Sequence, residues 1–94
     1  SDTYITSQKS KNEKNIDLIS IDSPMVGIIY LTPKPSSPPF AKKGQKIKKG
    51  ETICLIEAMK TFNEIKSDRD CIIREVLVKN GEAVEFGQPL FEIS

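Results

Sequence analysis

The chain has 94 residues, enough for one small domain with a single hydrophobic core. Its net charge of +1 and its 6% aromatic content provide neither the positive field nor the stacking surfaces of a nucleic-acid binder. The apolar runs are far shorter than the roughly 20 residues that cross a bilayer, and the N-terminal stretch lacks the order of a secretory signal. We therefore expect a soluble domain with no membrane or nucleic-acid partner.

Residues 1–17 are rich in Ser, Lys, Asn and Thr and hold only isolated apolar residues. Such a segment buries too little apolar surface to offset an ordering cost of about 1–2 kcal/mol per residue. We expect a flexible linker at 1–17, followed by a domain at 18–94. A frayed terminus or an expression remnant is the alternative for 1–17. The start at Ser1 rather than Met is consistent with a C-terminal piece of a longer polypeptide.

From residue 18 onward, short apolar runs separated by Pro, Gly and charged residues predict an all-β sandwich or barrel. An internal repeat supports this: 23–29 resembles 67–73 at an offset of 44, and 43–47 resembles 80–84 at an offset of 37. We predict two similar halves related by approximate twofold symmetry. The hairpin at 57–62 would lie at one end of the domain and both termini at the other.

The smaller second offset locates an insertion in the first half, between Ile29 and Lys43. Its four prolines fix φ and remove amide donors, so it should project as a stiffened loop outside the sheets. A loop in one half of a matched repeat is often functional, and a tolerated surface loop is the alternative. The insertion comprises Thr32, Pro33, Lys34, Pro35, Ser36, Ser37, Pro38 and Pro39.

Glycines and lysines mark the repeated turns. Gly44 matches Gly81 and Gly50 matches Gly87, which predicts four turns with positive φ. A basic run surrounds the first pair, and we expect a solvated face there, with electrostatic steering toward an acidic partner as the alternative. The run comprises Lys42, Lys43, Lys46, Lys48 and Lys49.

Two apolar runs, 53–56 and 61–66, must reverse direction around Ala58, Met59 and Lys60. No Gly, Asn, Asp or Pro is present at this reversal, so a tight turn costs about 1 kcal/mol per residue in backbone strain. We infer that the tip side chains are needed and that Lys60 is held out in water. For Met59, a core position is the alternative to a tip position.

The chain offers little for catalysis of its own. It has no histidine, so the usual Ser-His and Cys-His pairs are absent, and we predict neither catalytic residues nor a metal site. Cys54 and Cys71 lie inside apolar runs without CxxC spacing, which favours buried free thiols in a reducing compartment over a disulfide or a reactive thiol. With a reference pKa of roughly 10.4, Lys60 is protonated at neutral pH, so another enzyme must activate it.

The tetrapeptide 57–60, Glu-Ala-Met-Lys, resembles the biotin attachment motif, and the likeness extends over about 21–93. The chain is similar to the biotin carboxyl carrier domains of acetyl-CoA carboxylase. Thr61 replaces a methionine found in many members, and Cys71 replaces a common glycine. The other matching motifs are Pro-Met-Val-Gly at 24–27, Lys-Gly-Gln at 43–45, Lys-Gly-Glu at 49–51 and Val-Glu-Phe at 84–86.

The resemblance implies a flattened barrel-sandwich hybrid of two four-stranded antiparallel sheets with quasi-twofold symmetry. The insertion at 32–39 would form a protruding thumb near the cofactor. Biotin would be attached covalently to Lys60 by biotin protein ligase, which would recognise Glu57, Ala58 and Met59.

The function implied by the resemblance is that of a non-catalytic carrier. Biotin would move a carboxyl group from biotin carboxylase to carboxyltransferase, giving malonyl-CoA for fatty acid synthesis. Self-association through segments outside this chain, and a bacterial cytoplasm or a plastid stroma, are also expected. A lipoyl carrier, an unmodified adaptor domain of the same fold and a small hydrolase remain alternatives; Met59 favours biotin over lipoate, and the missing histidine counts against the hydrolase.

Overall fold

The computed structural model describes residues 17–94, which form eight strands. Across this range there is no helix, and hence none long and apolar enough to cross a membrane. The predicted linker lies outside the described residues except for Asp17. The strands are β1 (Ile19–Asp22), β2 (Gly27–Tyr30), β3 (Lys46–Ile47), β4 (Thr52–Ala58), β5 (Thr61–Lys66), β6 (Cys71–Val76), β7 (Ala83–Val84) and β8 (Pro89–Ile93).

The strands form two four-stranded sheets, one in the order β1-β8-β6-β3 and the other in the order β5-β4-β2-β7. Every pairing is antiparallel. Each sheet takes two strands from each half of the chain, so neither half completes a four-stranded sheet alone. The predicted all-β fold with two four-stranded antiparallel sheets is confirmed.

The strand registers confirm the repeat. In the first sheet Ile19 pairs with Ile93, and in the second sheet Asn63 pairs with Ile56. The first sequence offset, 44, relates Ile19 to Asn63, and the second offset, 37, relates Ile56 to Ile93. The two pairs are therefore equivalent positions of the repeat. The start of β1 and the end of β8 therefore occupy, in one sheet, the position that the β4–β5 hairpin occupies in the other.

Two buried serines repeat as well. Ser23 and Ser67 are each 2% exposed, and each hydroxyl donates a hydrogen bond of 2.6 Å to the carbonyl two residues later, at Met25 and Arg69. Both hydroxyls also accept a weaker bond from the amide of that same residue. Each serine lies where the chain passes from one sheet to the other. The bonds satisfy polar groups that would otherwise be buried without a partner.

The core lies between the sheets and consists mainly of isoleucine. Within residues 17–94, β4, β6 and β8 supply eight of the fourteen buried apolar side chains. Each fully buried aliphatic side chain stabilises the fold by about 1.5–3 kcal/mol. The largest fully buried side chains are Phe91, Ile29, Ile47, Ile53, Ile56, Ile73, Leu90 and Ile93.

Both cysteines are buried free thiols, as predicted. Burial raises the pKa of the Cys54 thiol to about 12, so it stays protonated and unreactive at neutral pH. Cys71 belongs to a regular part of β6, where it pairs with Ile47, and its Sγ lies 3.8 Å from the Ser67 hydroxyl. The fold therefore accommodates a side chain where the resembled family commonly has glycine.

Candidate functional site

The hairpin between β4 and β5 ends in a turn of only two residues. Pairing runs from Thr52 and Lys66 up to Ala58 and Thr61, which leaves Met59 and Lys60 as the turn. Their φ angles are 52° and 66°, so both lie in the left-handed region that this kind of hairpin turn requires. The predicted strained turn is confirmed.

Both turn side chains project into solvent. Met59 is 96% exposed, which rules out the alternative of a core methionine. Lys60 is also exposed, and within residues 17–94 its ammonium group has no ion pair or hydrogen bond. The paired strands thus hold a primary amine at a defined position beyond the end of the sheet.

Glu57, one residue before Ala58 at the tip, is held against β2. Its Oε1 accepts a hydrogen bond of 3.2 Å from the Tyr30 hydroxyl. The pKa of Tyr30 is raised by desolvation and, to a smaller extent, by the hydrogen bond to Glu57 and its negative charge. The Tyr30 ring lies 5.8 Å from that of Phe62, tilted by 54°. Sequence reasoning selected Glu57 but missed Tyr30, because no local pattern links positions 27 residues apart.

Gly27 allows β2 to lie close to the hairpin strand. A Cβ at this position would lie 2.7 Å from Ile56 Cγ2 and would overlap the Glu57 carbonyl oxygen. Unlike the four turn glycines, whose φ angles are 83–89° as predicted, Gly27 is required for space rather than for backbone conformation. The sequence analysis singled out Gly27 only as part of the Pro-Met-Val-Gly motif at 24–27 and did not predict this role.

An open groove borders the tip, and we call it the tip groove. It is mostly apolar, and its exposed members Val26 and Met59 leave 60% and 96% of their surface in solvent. Asn63 closes one side and donates hydrogen bonds of 3.2 Å to the carbonyls of Ile56 and Thr61. The tip groove is lined by Met25, Val26, Ala58, Met59, Thr61 and Asn63.

The proline-rich insertion, which we call the thumb, lies between β2 and β3 and contains no strand. The Phe40 amide donates to the Leu31 carbonyl at 2.9 Å and closes its base. Asn80 from the second half strengthens the base, since its Oδ1 accepts a bond of 2.6 Å from the Leu31 amide. The Ser37 amide donates to the Lys34 carbonyl at 3.0 Å and forms a turn within the thumb.

The thumb packs toward the sheet that carries the hairpin. Thr32, Pro33, Lys34 and Pro35 share one groove with Tyr30, Leu55, Phe62 and Asn80. Phe62 is two residues from Lys60, so the structure brings the thumb beside the hairpin, close to its tip. The functional roles predicted for the thumb and for Glu57, Ala58 and Met59 stay predictions.

The chemistry of the tip fits a cofactor joined through an amide. Such a linkage needs an accessible primary amine on a rigid support, and Lys60 on its two-residue turn provides both. Within residues 17–94, no group of three potential metal ligands is assembled.

Comparison with known proteins places this geometry in a family. The model of the Biotin_lipoyl family, described as "Biotin-requiring enzyme", matches residues 19–93. A Nostoc sp. protein named biotin carboxyl carrier protein of acetyl-CoA carboxylase is 45% identical over 98% of this chain and 52% of its own length. A protein of the same name from Pseudomonas aeruginosa is 47% identical over 78% of this chain and 47% of its own length.

A relative from Arabidopsis thaliana, named biotin carboxyl carrier protein of acetyl-CoA carboxylase 2, chloroplastic, is 45% identical over 79% of this chain and 29% of its own length. The chain thus spans about half the length, or less, of these curated relatives. Among solved structures, a single-chain, multi-domain long-chain acyl-CoA carboxylase matches with a TM-score of 0.70 at 21% identity, over 82% of this chain and 7% of that one, which shows the shared fold. The chain belongs to the family of biotin-requiring enzymes, whose cofactor is biotin.

Proposed function

We propose that this domain is the biotin carrier of an acetyl-CoA carboxylase and that biotin is attached to Lys60. The observation that carries the proposal is the exposed primary amine at the summit of a two-residue turn with positive φ. The names of the relatives, all carrier proteins of acetyl-CoA carboxylase, support the choice of reaction.

The chain's own residues act by presenting the amine. Strand pairing continues up to Ala58 and Thr61, so Lys60 has little backbone freedom and a biotin protein ligase meets it in one geometry. Glu57 is fixed by Tyr30, and Met59 is available for recognition at the surface. Amide formation removes the positive charge of Lys60, so the arm can enter a dry pocket without burying an unpaired ammonium.

The cofactor, when bound, supplies the ureido nitrogen that accepts and releases a carboxyl group. The domain supplies the tether between biotin carboxylase and carboxyltransferase, at an effective concentration of order mM, and acetyl-CoA is converted to malonyl-CoA for fatty acid synthesis. The domain has no catalytic residue of its own in this scheme. Self-association would use segments outside this chain, and the site of action would be a bacterial cytoplasm or a plastid stroma, in line with the sources of the relatives.

We assign the thumb a part in the same site. Pro33 and Pro35 of the thumb line a groove together with Phe62 and Tyr30, next to the hairpin. A loop stiffened by prolines and closed by the Leu31–Phe40 and Asn80–Leu31 bonds keeps its shape at little entropic cost. This placement supports contact between the thumb and the arm on Lys60.

The test is the intact mass of the domain after incubation with biotin, ATP and a biotin ligase. We expect a single biotinyl addition that is absent from a Lys60→Arg variant and present in a Lys66→Arg variant, which alters another exposed lysine of β5. Circular dichroism confirms that each variant is folded. No addition to the folded wild type, or modification by a lipoate ligase in its place, would contradict the proposal.

A further inference from the structure

A concentrated basic surface surrounds β3, which belongs to the other sheet from the hairpin. Five of the chain's fourteen basic residues lie within eight positions, in β3 and the two turns that flank it, and all five are exposed. We call this surface the lysine face. It consists of Lys42, Lys43, Lys46, Lys48 and Lys49.

The internal repeat shows how the turns that carry the lysine face are held. In the first half the Lys42 amide donates to Gln45 Oε1 at 2.9 Å, and in the second half the Lys79 amide donates to Glu82 Oε1 at the same distance. The turns are therefore held by backbone amides and by side chains other than the lysine ammonium groups.

The second half shows which substitutions the turns accept. Lys46 corresponds to Ala83, and Lys48 corresponds to Glu85. The Lys48 amide and the Glu85 amide both donate to the side chain three residues later, at 3.0 Å. Since alanine and glutamate occupy the equivalent positions in a turn of the same form, the turns do not require the positive charges of Lys46 and Lys48.

Neighbouring carboxylates compensate part of this charge. Of the five lysines, only Lys43 forms an ion pair within residues 17–94, at 3.1 Å from Glu75 Oε1. The carboxylates of Glu51 and Asp70 accept hydrogen bonds from the backbone amides of Lys48 and Lys49, and Asp68 lies within the field of Lys49. Five lysines against these four carboxylates leave the lysine face with an excess of one positive charge.

The lysine face and the hairpin belong to different sheets. β3 is the edge strand of the sheet β1-β8-β6-β3, whereas Lys60 follows β4 in the other sheet. A partner that contacts the turns around β3 does not have to cover the tip. A partner can thus hold the domain at the lysine face while the biotin attached to Lys60 enters the partner's active site.

We propose that the lysine face is a docking surface for an acidic protein surface on the enzymes that the carrier visits. This inference rests on the proposed carrier function and adds the surface by which the carrier is recognised. A protein partner fits better than a nucleic acid, because 42–50 contains no aromatic residue for base stacking and Glu51 and Asp70 interrupt the positive field. Contacts between exposed charges at the edge of an interface mainly accelerate association and disfavour binding to wrong partners.

The experiment compares three biotinylated proteins as substrates of biotin carboxylase and, separately, of carboxyltransferase from the same organism. They are the wild type, a Lys46→Gln/Lys48→Gln variant of the lysine face, and a Lys14→Gln/Lys79→Gln control with the same loss of charge at residues that do not belong to the lysine face. The measured quantity is kcat/KM for the carrier at ionic strengths from about 20 mM to about 300 mM, a range in which exposed charges become strongly screened.

With at least one of the two enzymes, kcat/KM for the lysine-face variant is expected to fall about three- to tenfold at low salt, with a flatter salt dependence than the wild type. The control should stay within twofold of the wild type. Equal values for both variants with both enzymes would overturn the docking surface while leaving the carrier function intact. Failure of the biotinylated wild type to serve either enzyme would overturn the carrier function itself and the docking surface with it.

A nucleic-acid partner is tested in parallel at the same salt concentrations, with a DNA duplex of about 20 base pairs as the probe. A duplex of this length is longer than the lysine face. If the partner is a protein, the wild type should bind the duplex no more tightly than the lysine-face variant does. Selective binding of the duplex by the wild type, without an effect on either enzyme, would overturn the proposal.

Discussion

Replacing Gly27 with alanine tests whether β2 must approach the hairpin strand too closely for any side chain. The added Cβ would lie 2.7 Å from Ile56 Cγ2, where ordinary contact begins near 3.4 Å, and would overlap the Glu57 carbonyl oxygen. The strands must therefore separate by about 0.7 Å or more, and a backbone oxygen cannot move aside by changing rotamer. We expect Gly27→Ala to lower the free energy of unfolding by about 2–3 kcal/mol.

Urea-induced and thermal unfolding of the two proteins measure this change. For a domain of this size, the midpoint temperature should fall by about 10–20 °C. Gly44→Ala is the matched control, because Gly44 has a φ of 88° but nothing within 4 Å of an added Cβ. Its cost is backbone strain alone, about 1 kcal/mol. If Gly27→Ala costs no more than Gly44→Ala, the argument from close approach is refuted.

Three further predictions concern the tip, the core and the contact below the tip. Met59→Gly should raise the free energy of unfolding by about 0.5–1 kcal/mol in urea titrations, because glycine accepts the positive φ without strain; a decrease would show that the exposed side chain stabilises the turn. Because burial raises the pKa of Cys54 from 9.0 to about 12, the unfolded state loses this proton first, so stability should decline between those pH values by up to about 1.4 kcal/mol per pH unit. Unfolding titrations on Cys54→Ala should lack that component, and an unchanged slope would contradict the assignment. Glu57→Gln should lower the pKa of Tyr30, although the larger part of the upward pKa shift, which is due to desolvation, should persist. Tyrosinate absorbance in a Tyr4→Phe background measures this pKa. An unchanged Tyr30 pKa would refute the contact.

The hairpin and the repeat could be predicted from the sequence because both depend on local signals. The β-former runs 53–56 and 61–66 place the reversal around Ala58, Met59 and Lys60, where no residue favours positive φ. In the structure, strand pairing continues to Ala58 and Thr61, so Met59 and Lys60 alone form the turn and both take positive φ. The predicted run 53–56 was shorter than the observed strand Thr52–Ala58, since glutamate and alanine carry weak strand preference. The offsets of 44 and 37 reappear in the strand registers because each half repeats the same turn chemistry.

The contacts beneath the tip could not be predicted in this way. Tyr30 and Glu57 are 27 positions apart, and Leu31 and Asn80 are 49 positions apart. Each pair meets only because β2 and β4 are neighbours in one sheet and because the second half closes against the first. Periodicity says which face of a strand is buried, but it does not say which strand lies beside it.

By itself, the sequence determined the strand texture, the repeat, the projecting proline-rich loop and a lysine at a costly turn, because each of these follows from residue type and short spacing. Only the tertiary structure decided that Gly27 must lack a side chain, that the thumb lies beside Phe62, and that the lysine face belongs to the sheet opposite Lys60. Those features depend on how two sheets of mixed origin pack. That packing is set by the sum of many burial and pairing energies across the whole domain rather than by any segment of it.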